Sequence, residues 1–239
     1  MQSMICQPPT GDILQRVFCI TVNRIRGSAF AVPVGAQICL VTAKHLVADL
    51  PVGRTSQIGI FTGLKTENVE ITPHLSDAAD VDIAILETTI AGDPNAHPGL
   101  ELTSDNVIFG QDTYFLGFPY FDKQIKYQSQ RLNNGFPFPL VKKATYSGFS
   151  EEIHYLDGHN NPGFSGGPVI LTVQNPLKQV IWGVVSGYVS HLGKVAHIQT
   201  AHELAYQENS GIIVISSIRH AVQLIQSVYG RLPNANLGR

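Results

Sequence analysis

Residues 161–170 read NPGFSGGPVI. One serine, Ser165, stands among Gly163, Gly166 and Gly167, and Pro168 opens a β-branched run. A chain with this composition presents one hydroxyl on a tight turn with nothing crowding it. A free serine is a weak nucleophile, so attack requires a base and a site for the oxyanion that forms. Gly163 lets the backbone turn so that the N–H groups of Gly163 and Ser165 point at one spot. Such donors, correctly aimed, contribute about 2.7–4 kcal/mol each at the barrier. Gly166 and Gly167 leave room for a substrate chain to approach. The same letters also suit a Gly-rich β-turn with an incidental serine, and short motifs recur by chance.

Two stretches upstream bear on that choice. In LVTAKHLV (40–47), His45 follows a β-branched apolar strand. A lone histidine in that place is usually a satisfied core residue. In ADVDIAILE (79–87), Asp82 opens an apolar strand, where a carboxylate buried without a partner is expensive. Its bland role is a turn former at a strand edge. Placed against the far nitrogen of His45, it would fix the tautomer of the imidazole and support its positive charge. Asp80 is the rival acid. Asp82 is preferred because the acid of such a triad is buried against the imidazole, and Asp80 lies outside the apolar run.

Short β-type runs separated by turn residues fill most of the chain, among them 16–22, 28–34, 36–43, 56–62, 68–73 and 82–88 in the first half. AGDPNAHPG (91–99) is a turn-rich break and the best inter-domain linker. The second half resumes with runs at 112–119, 140–149, 152–157, 167–173, 180–189 and 211–216. Ile218, Val222, Ile225 and Val228 then repeat at helical spacing, and Gly230 stops the helix. The fold class is all-β, in two barrels or a sandwich with one terminal helix near 217–229. The domains are expected at 1–100, carrying His45 and Asp82, and at 101–239, carrying Ser165.

The 239 residues suffice for a sizeable core. Charged residues make up 14%, against a usual value of about 25%, which suits well-buried strands. A net charge of −2 argues against nucleic acid or an anionic membrane as partner. Cys6, Cys19 and Cys39 are odd in number and widely spaced, a poor disulfide framework. The first twenty residues do not read as a signal peptide, and no stretch reaches the ~18 apolar residues of a membrane span. The expected location is cytoplasmic.

Taken together, VTAKH, DIAIL and PGFSGGP, in that order, resemble the three catalytic blocks of the chymotrypsin-like serine peptidases. GSAFAV, LTSDNVIFGQDTYFLGFP, WGVVSGYV and NSGIIVISSIRHAVQLI extend the resemblance to the bacterial Deg/HtrA-like branch over about residues 27–226. The resemblance implies two perpendicular six-stranded-type β-barrels with the active site in the cleft between them. It also implies Ser165 as nucleophile, His45 as base and then acid, Asp82 as orienting acid, and an oxyanion hole from the N–H groups of Gly163 and Ser165. Substrate would pair with the strand of Ser186, and His159 and Tyr188 would line the specificity pocket.

The departures from that family pattern are informative. Secreted members carry an aspartate directly before the nucleophile, which pairs with an N-terminal amine freed by zymogen cleavage and braces the oxyanion loop. Phe164 cannot do this. Leu46 follows His45 where secreted members bridge the loop with a disulfide, and Cys39 has no evident mate. No PDZ domain is expected before Arg239. HELAY (202–206) opens like a zinc-protease motif but ends in Tyr206, and the histidines show no metal-ligand spacing, so neither metal nor cofactor is expected. Lys142 and Lys143 read as a solvated strand end. The expected activity is serine endopeptidase on peptide or protein substrates. The alternative is a peptide-binding module that is inert or waits for a regulatory protein partner.

Overall fold

The computed structural model describes residues 7–91, 101–105, 107–120, 125–173, 177–196, 203–230 and 235–236. Strands β1 (Val17–Val22), β2 (Ile25–Val34), β3 (Gln37–Thr42), β4 (Ser56–Phe61), β5 (Thr66–Leu75) and β6 (Ala84–Ala91) form a closed barrel in the order β1-β2-β3-β6-β5-β4. Every pairing in it is antiparallel. Ile20, Ala29, Leu40, Ile58, Ile71 and Leu86 alternate with outward residues and fill its interior.

The second sheet is built from β7 (Glu101–Thr103), β8 (Asp112–Gly117), β9 (Leu140–Ser150), β10 (Ile153–Asp157), β11 (Pro168–Val173), β12 (Lys178–Ala196), β13 (Glu203–Ser217) and β14 (Ala235–Asn236). Six of these run β11-β8-β9-β10-β13-β12, and β12 pairs back onto β11, so the sheet closes on itself. Short β7 joins β12 in parallel, and β14 joins β7. Phe115, Leu156, Phe164, Leu171, Trp182 and Ile215 pack its core.

A third apolar cluster binds the halves together. Phe30, Val41 and Ile83 of the first half meet Leu116, Phe118 and Val184 of the second. Helix α2, which spans Arg219–Tyr229, seals this seam with buried Ala221, Val222 and Ile225; a short helix α1 spans Gly11–Leu14. Gly230, at φ +63°, ends α2 and donates its N–H to the Gln226 carbonyl at 2.9 Å, as the sequence leads one to expect. The fold is the all-β, chymotrypsin-like one.

Two local readings change. β12 and β13 run well past the expected 180–189 and 211–216 as a hairpin arm paired from Ser190 with Asn209 to Ala196 with Glu203. The two strands of this arm pair antiparallel with each other, and Leu192 and Tyr206 on it are exposed. Glu203–Tyr206 lie on β13, a strand, whereas the zinc-protease motif needs a helix. Past Ala91, the expected linker lies outside the described residues. Cys19 and Cys39 are free and buried, and burial pushes both thiols up to about 12, so neither is a ready nucleophile.

Candidate active site

After β3 the chain makes a single 3-10 turn, Lys44–Leu46. Buried Leu46 and Val47 anchor this turn, and the His45 side chain is left 47% exposed. Asp82 comes from the segment just before β6 and is 23% exposed. Its Oδ2 lies 2.7 Å from His45 Nδ1, and its Oδ1 accepts the His45 backbone N–H at 2.8 Å. This two-point contact fixes both the residue and its ring. With the Nδ1 proton donated to Asp82, Nε2 carries the free lone pair. Asp80 is exposed and stands outside this contact.

Two further residues hold the pair in place. Lys44 Nζ donates to the Ser76 carbonyl at 2.9 Å and to the Ala78 carbonyl at 3.3 Å, tying the histidine turn to the loop that delivers Asp82. From the other barrel, Ser216 Oγ accepts the Asp82 N–H at 3.1 Å and lies 3.0 Å from Ser186 Oγ.

Ser165 sits on the loop before β11, half-buried. Its Oγ donates to the Ser186 carbonyl at 3.2 Å. A serine hydroxyl has one proton to donate, so in this rotamer the proton is not offered to His45.

The loop expected to form the oxyanion hole has a defined form. Pro162 and Gly163 occupy the middle of a four-residue turn closed by Phe164 N–H donating to the Asn161 carbonyl at 3.3 Å. Gly163 has φ +107°. Proline at the second place and positive φ at the third are the marks of a type II turn; the type I form has its central peptide turned over. That central peptide carries the Gly163 N–H, so the turn type sets where this donor points. Among the described residues, neither the Gly163 nor the Ser165 N–H is bonded to a protein acceptor.

Ser28 of β2, fully buried, clamps this loop onto the first barrel. Its Oγ donates to the Gly163 carbonyl at 2.7 Å and accepts the Phe118 N–H at 3.1 Å, and its own N–H reaches the Ser165 carbonyl at 2.8 Å. Gly166, at φ +82°, lies so close that a Cβ there would stand 2.0 Å from the Ser28 carbonyl oxygen. Phe164 is 0% exposed, with its ring 4.8 Å from that of Phe115 in an edge-on contact.

The residues expected to bind substrate divide. Ser186 lies at a register shift of β12, its carbonyl against Ser165 Oγ. Tyr188 is half-buried and faces Ile213 of β13. His159 is exposed, and its carbonyl accepts from Lys142 Nζ at 2.6 Å. Asn160, which sequence reasoning passed over, is buried and joins this loop to β12 by donating to the Gly187 carbonyl at 2.9 Å. A cavity of about 530 Å³ is lined by Tyr155, Asp157, Val189 and Ile212 among others, and by none of the three residues expected to bind substrate. Among the described residues no group of three or more His, Cys, Asp or Glu could hold a metal ion, and no helix is long and apolar enough to cross a membrane.

Ser28, Lys44, Ser216 and Asn160 were missed because each acts through a partner far along the chain. Ser28, Lys44 and Ser216 did carry a signal, since they fall in the GSAFAV, VTAKH and NSGIIVISSIRHAVQLI blocks of the resemblance, whereas Asn160 lies outside them.

The trypsin-like peptidase domain family matches residues 27–177, more than half of the chain, and the chain belongs to it. No curated protein sequence matches. Among solved structures, the inactive form of the Rv3671c protease superposes with a TM-score of 0.52 at 17% identity, covering 90% of each chain. An inactive serine-to-alanine mutant of Rv3671c from M. tuberculosis H37Rv gives 0.51 at 18% identity, over 96% of this chain and 98% of that one. The HtrA-type protease AlgW, a serine-to-alanine variant with a tripeptide, gives 0.55 at 17% identity, over 91% of this chain and 61% of that one. At such identities the likeness is one of fold.

Proposed function

We propose that the protein is a serine endopeptidase that cleaves peptide bonds through an acyl-enzyme on Ser165. The observation that carries this reading is the double hydrogen bond of Asp82 to His45, 2.7 and 2.8 Å, which leaves Nε2 free to act as a base. Membership of the trypsin-like peptidase domain family supports it. A substrate chain adds as a strand along β12, and its N–H takes the Ser186 carbonyl that Ser165 Oγ occupies at rest. The displaced hydroxyl turns to His45, gives its proton to Nε2 and attacks the scissile carbonyl. The oxyanion forms against the N–H groups of Gly163 and Ser165. The imidazolium, held by Asp82, then protonates the leaving amine. Water repeats the sequence on the ester, giving its proton to His45 and its oxygen to the acyl group, and Ser165 is regenerated. The free, buried thiols of Cys19 and Cys39 suit a cytoplasmic protein.

The resting bond from Ser165 to Ser186 favours one refinement, a peptidase that waits for its substrate or a partner to seat on β12. Hydrolysis of unfolded labelled casein by the wild type, Ser165→Ala and His45→Ala tests the reading. Turnover by the wild type and its collapse in both variants, with unchanged melting temperatures, is expected. Equal turnover in all three overturns it.

A further inference from the structure

Phe164 removes the carboxylate that an N-terminal amine braces in the secreted relatives, yet the loop ahead of Ser165 is not without a cation. Lys142 lies on β9, directly across from Phe115 of β8. Its Nζ donates to the His159 carbonyl at 2.6 Å and to Asn161 Oδ1 at 2.5 Å, and stands 5.6 Å from the centre of the Phe164 ring. Lys143, its neighbour, pairs with Asp112 at 2.7 Å, so the two lysines that read alike in sequence do different things.

The contacts converge on the start of the oxyanion turn. Asn161 accepts from Lys142 and donates through Nδ2 to the Tyr120 hydroxyl at 2.5 Å. Its backbone N–H is held by Asn160 Oδ1 at 2.8 Å, and its carbonyl closes the turn through Phe164 N–H. With Asn160 tied to β12, residues 159–161 are pinned on both sides, by Lys142 and by Gly187. The Pro162–Gly163 peptide thus swings from a fixed point. Ser28 holds its far end through the Gly163 carbonyl. Bonds to a charged donor are roughly twice as strong as neutral ones, which suits an ammonium to this task. Part-burial draws Lys142 below the ordinary lysine range, in keeping with its withdrawal from water.

We infer that Lys142 is a positioning residue for the oxyanion hole, an internal ammonium that holds the 159–161 segment so that the Gly163 N–H stays aimed at the reacting carbonyl. The inference rests on the endopeptidase reading. It predicts that losing the ammonium lets the turn pass to the form with its central peptide turned over, so that the transition state suffers more than substrate binding.

The test compares wild type, Lys142→Met and Lys142→Arg for kcat and KM on labelled casein, for the rate of phosphonylation by a fluorophosphonate, and for melting temperature. Misplacement by about 1 Å can lower a rate by about a hundredfold, so Lys142→Met should lose between about tenfold and a hundredfold in kcat and in phosphonylation rate. KM should stay within about twofold. Lys142→Arg, which keeps a donor and a charge, should recover most of the loss. In a double-mutant cycle, Lys142→Met should cost less in an Asn161→Ala background than in the wild type. Wild-type rates in Lys142→Met, or an arginine variant no better than methionine, overturn the inference and leave the peptidase reading intact. A methionine variant unfolded at the assay temperature also overturns it, by assigning Lys142 to stability. A wild type that neither labels nor cleaves removes both.

Discussion

Replacing Phe164 with alanine puts a number on the residue that departs most plainly from its secreted relatives. The ring is 0% exposed, meets Phe115 edge-on at 4.8 Å, and lies in the core of the second barrel with Leu171 and Trp182. Truncating a fully buried phenylalanine costs about 3–5 kcal/mol, the transfer and cavity contributions together. Against a total stability of about 5–15 kcal/mol, this is a large share but leaves a folded chain. A protein of this size shifts its Tm by about 2–4 °C per kcal/mol, so a fall of about 6–20 °C is expected. Because the backbone of Phe164 is part of the oxyanion turn, the loss should also appear in catalysis, with kcat falling by more than KM rises. Phe164→Leu refills much of the hollow and should recover most of both losses. Urea unfolding gives the first quantity, and steady-state kinetics well below the mutant's Tm gives the second. A stability loss under about 1 kcal/mol would refute the packing argument, since truncating a buried phenylalanine to alanine costs about 3–5 kcal/mol. A large stability loss with unaltered kcat would show that the ring supports the barrel and not the loop.

Other expectations follow from single contacts. Ser28→Ala strips a donor from the Gly163 carbonyl and an acceptor from the Phe118 N–H, at about 1–3 kcal/mol for each buried group left unpaired; urea unfolding should report a loss of about 2–6 kcal/mol, with a fall in kcat. Asp82→Asn should leave the fold intact and cut turnover by about 10⁴-fold by favouring the wrong imidazole tautomer, while Asp80→Asn changes kcat little. His154 predicts a pH effect on stability. Burial, and next Arg219, hold its imidazole below the ordinary histidine range. On acidification the unfolded chain takes up this proton first, so stability falls as the pH drops through about 6.5 toward the lowered folded value and is unaffected above that window. Thermal melts from about pH 7 to 5 should show a shallower slope in His154→Phe than in the wild type.

What could be read from the letters, and what could not, has a physical pattern. The glycines around Ser165 are legible because packing requires them, as a Cβ at Gly166 would collide with Ser28. The end of α2 is legible because Gly230 takes a left-handed conformation that other residues avoid. Asp82 was separable from Asp80 by its place at the start of an apolar run. Lys142 was illegible because its partners lie 17 and 19 residues away, and nothing local distinguishes it from Lys143. Lys44 had the same difficulty, reaching carbonyls 32 and 34 residues on. The hairpin arm beyond Tyr188 left no trace because what holds it is the pairing of its own two strands, and its Leu192 and Tyr206 are exposed.

The most direct test of the proposal treats the folded protein with a fluorophosphonate and locates the adduct by mass spectrometry after digestion. Wild-type protein should carry a single adduct, on Ser165, and His45→Ala should label far more slowly at an unchanged melting temperature. An adduct on another serine, or a folded wild-type protein that takes none even with unfolded casein present, would contradict the account.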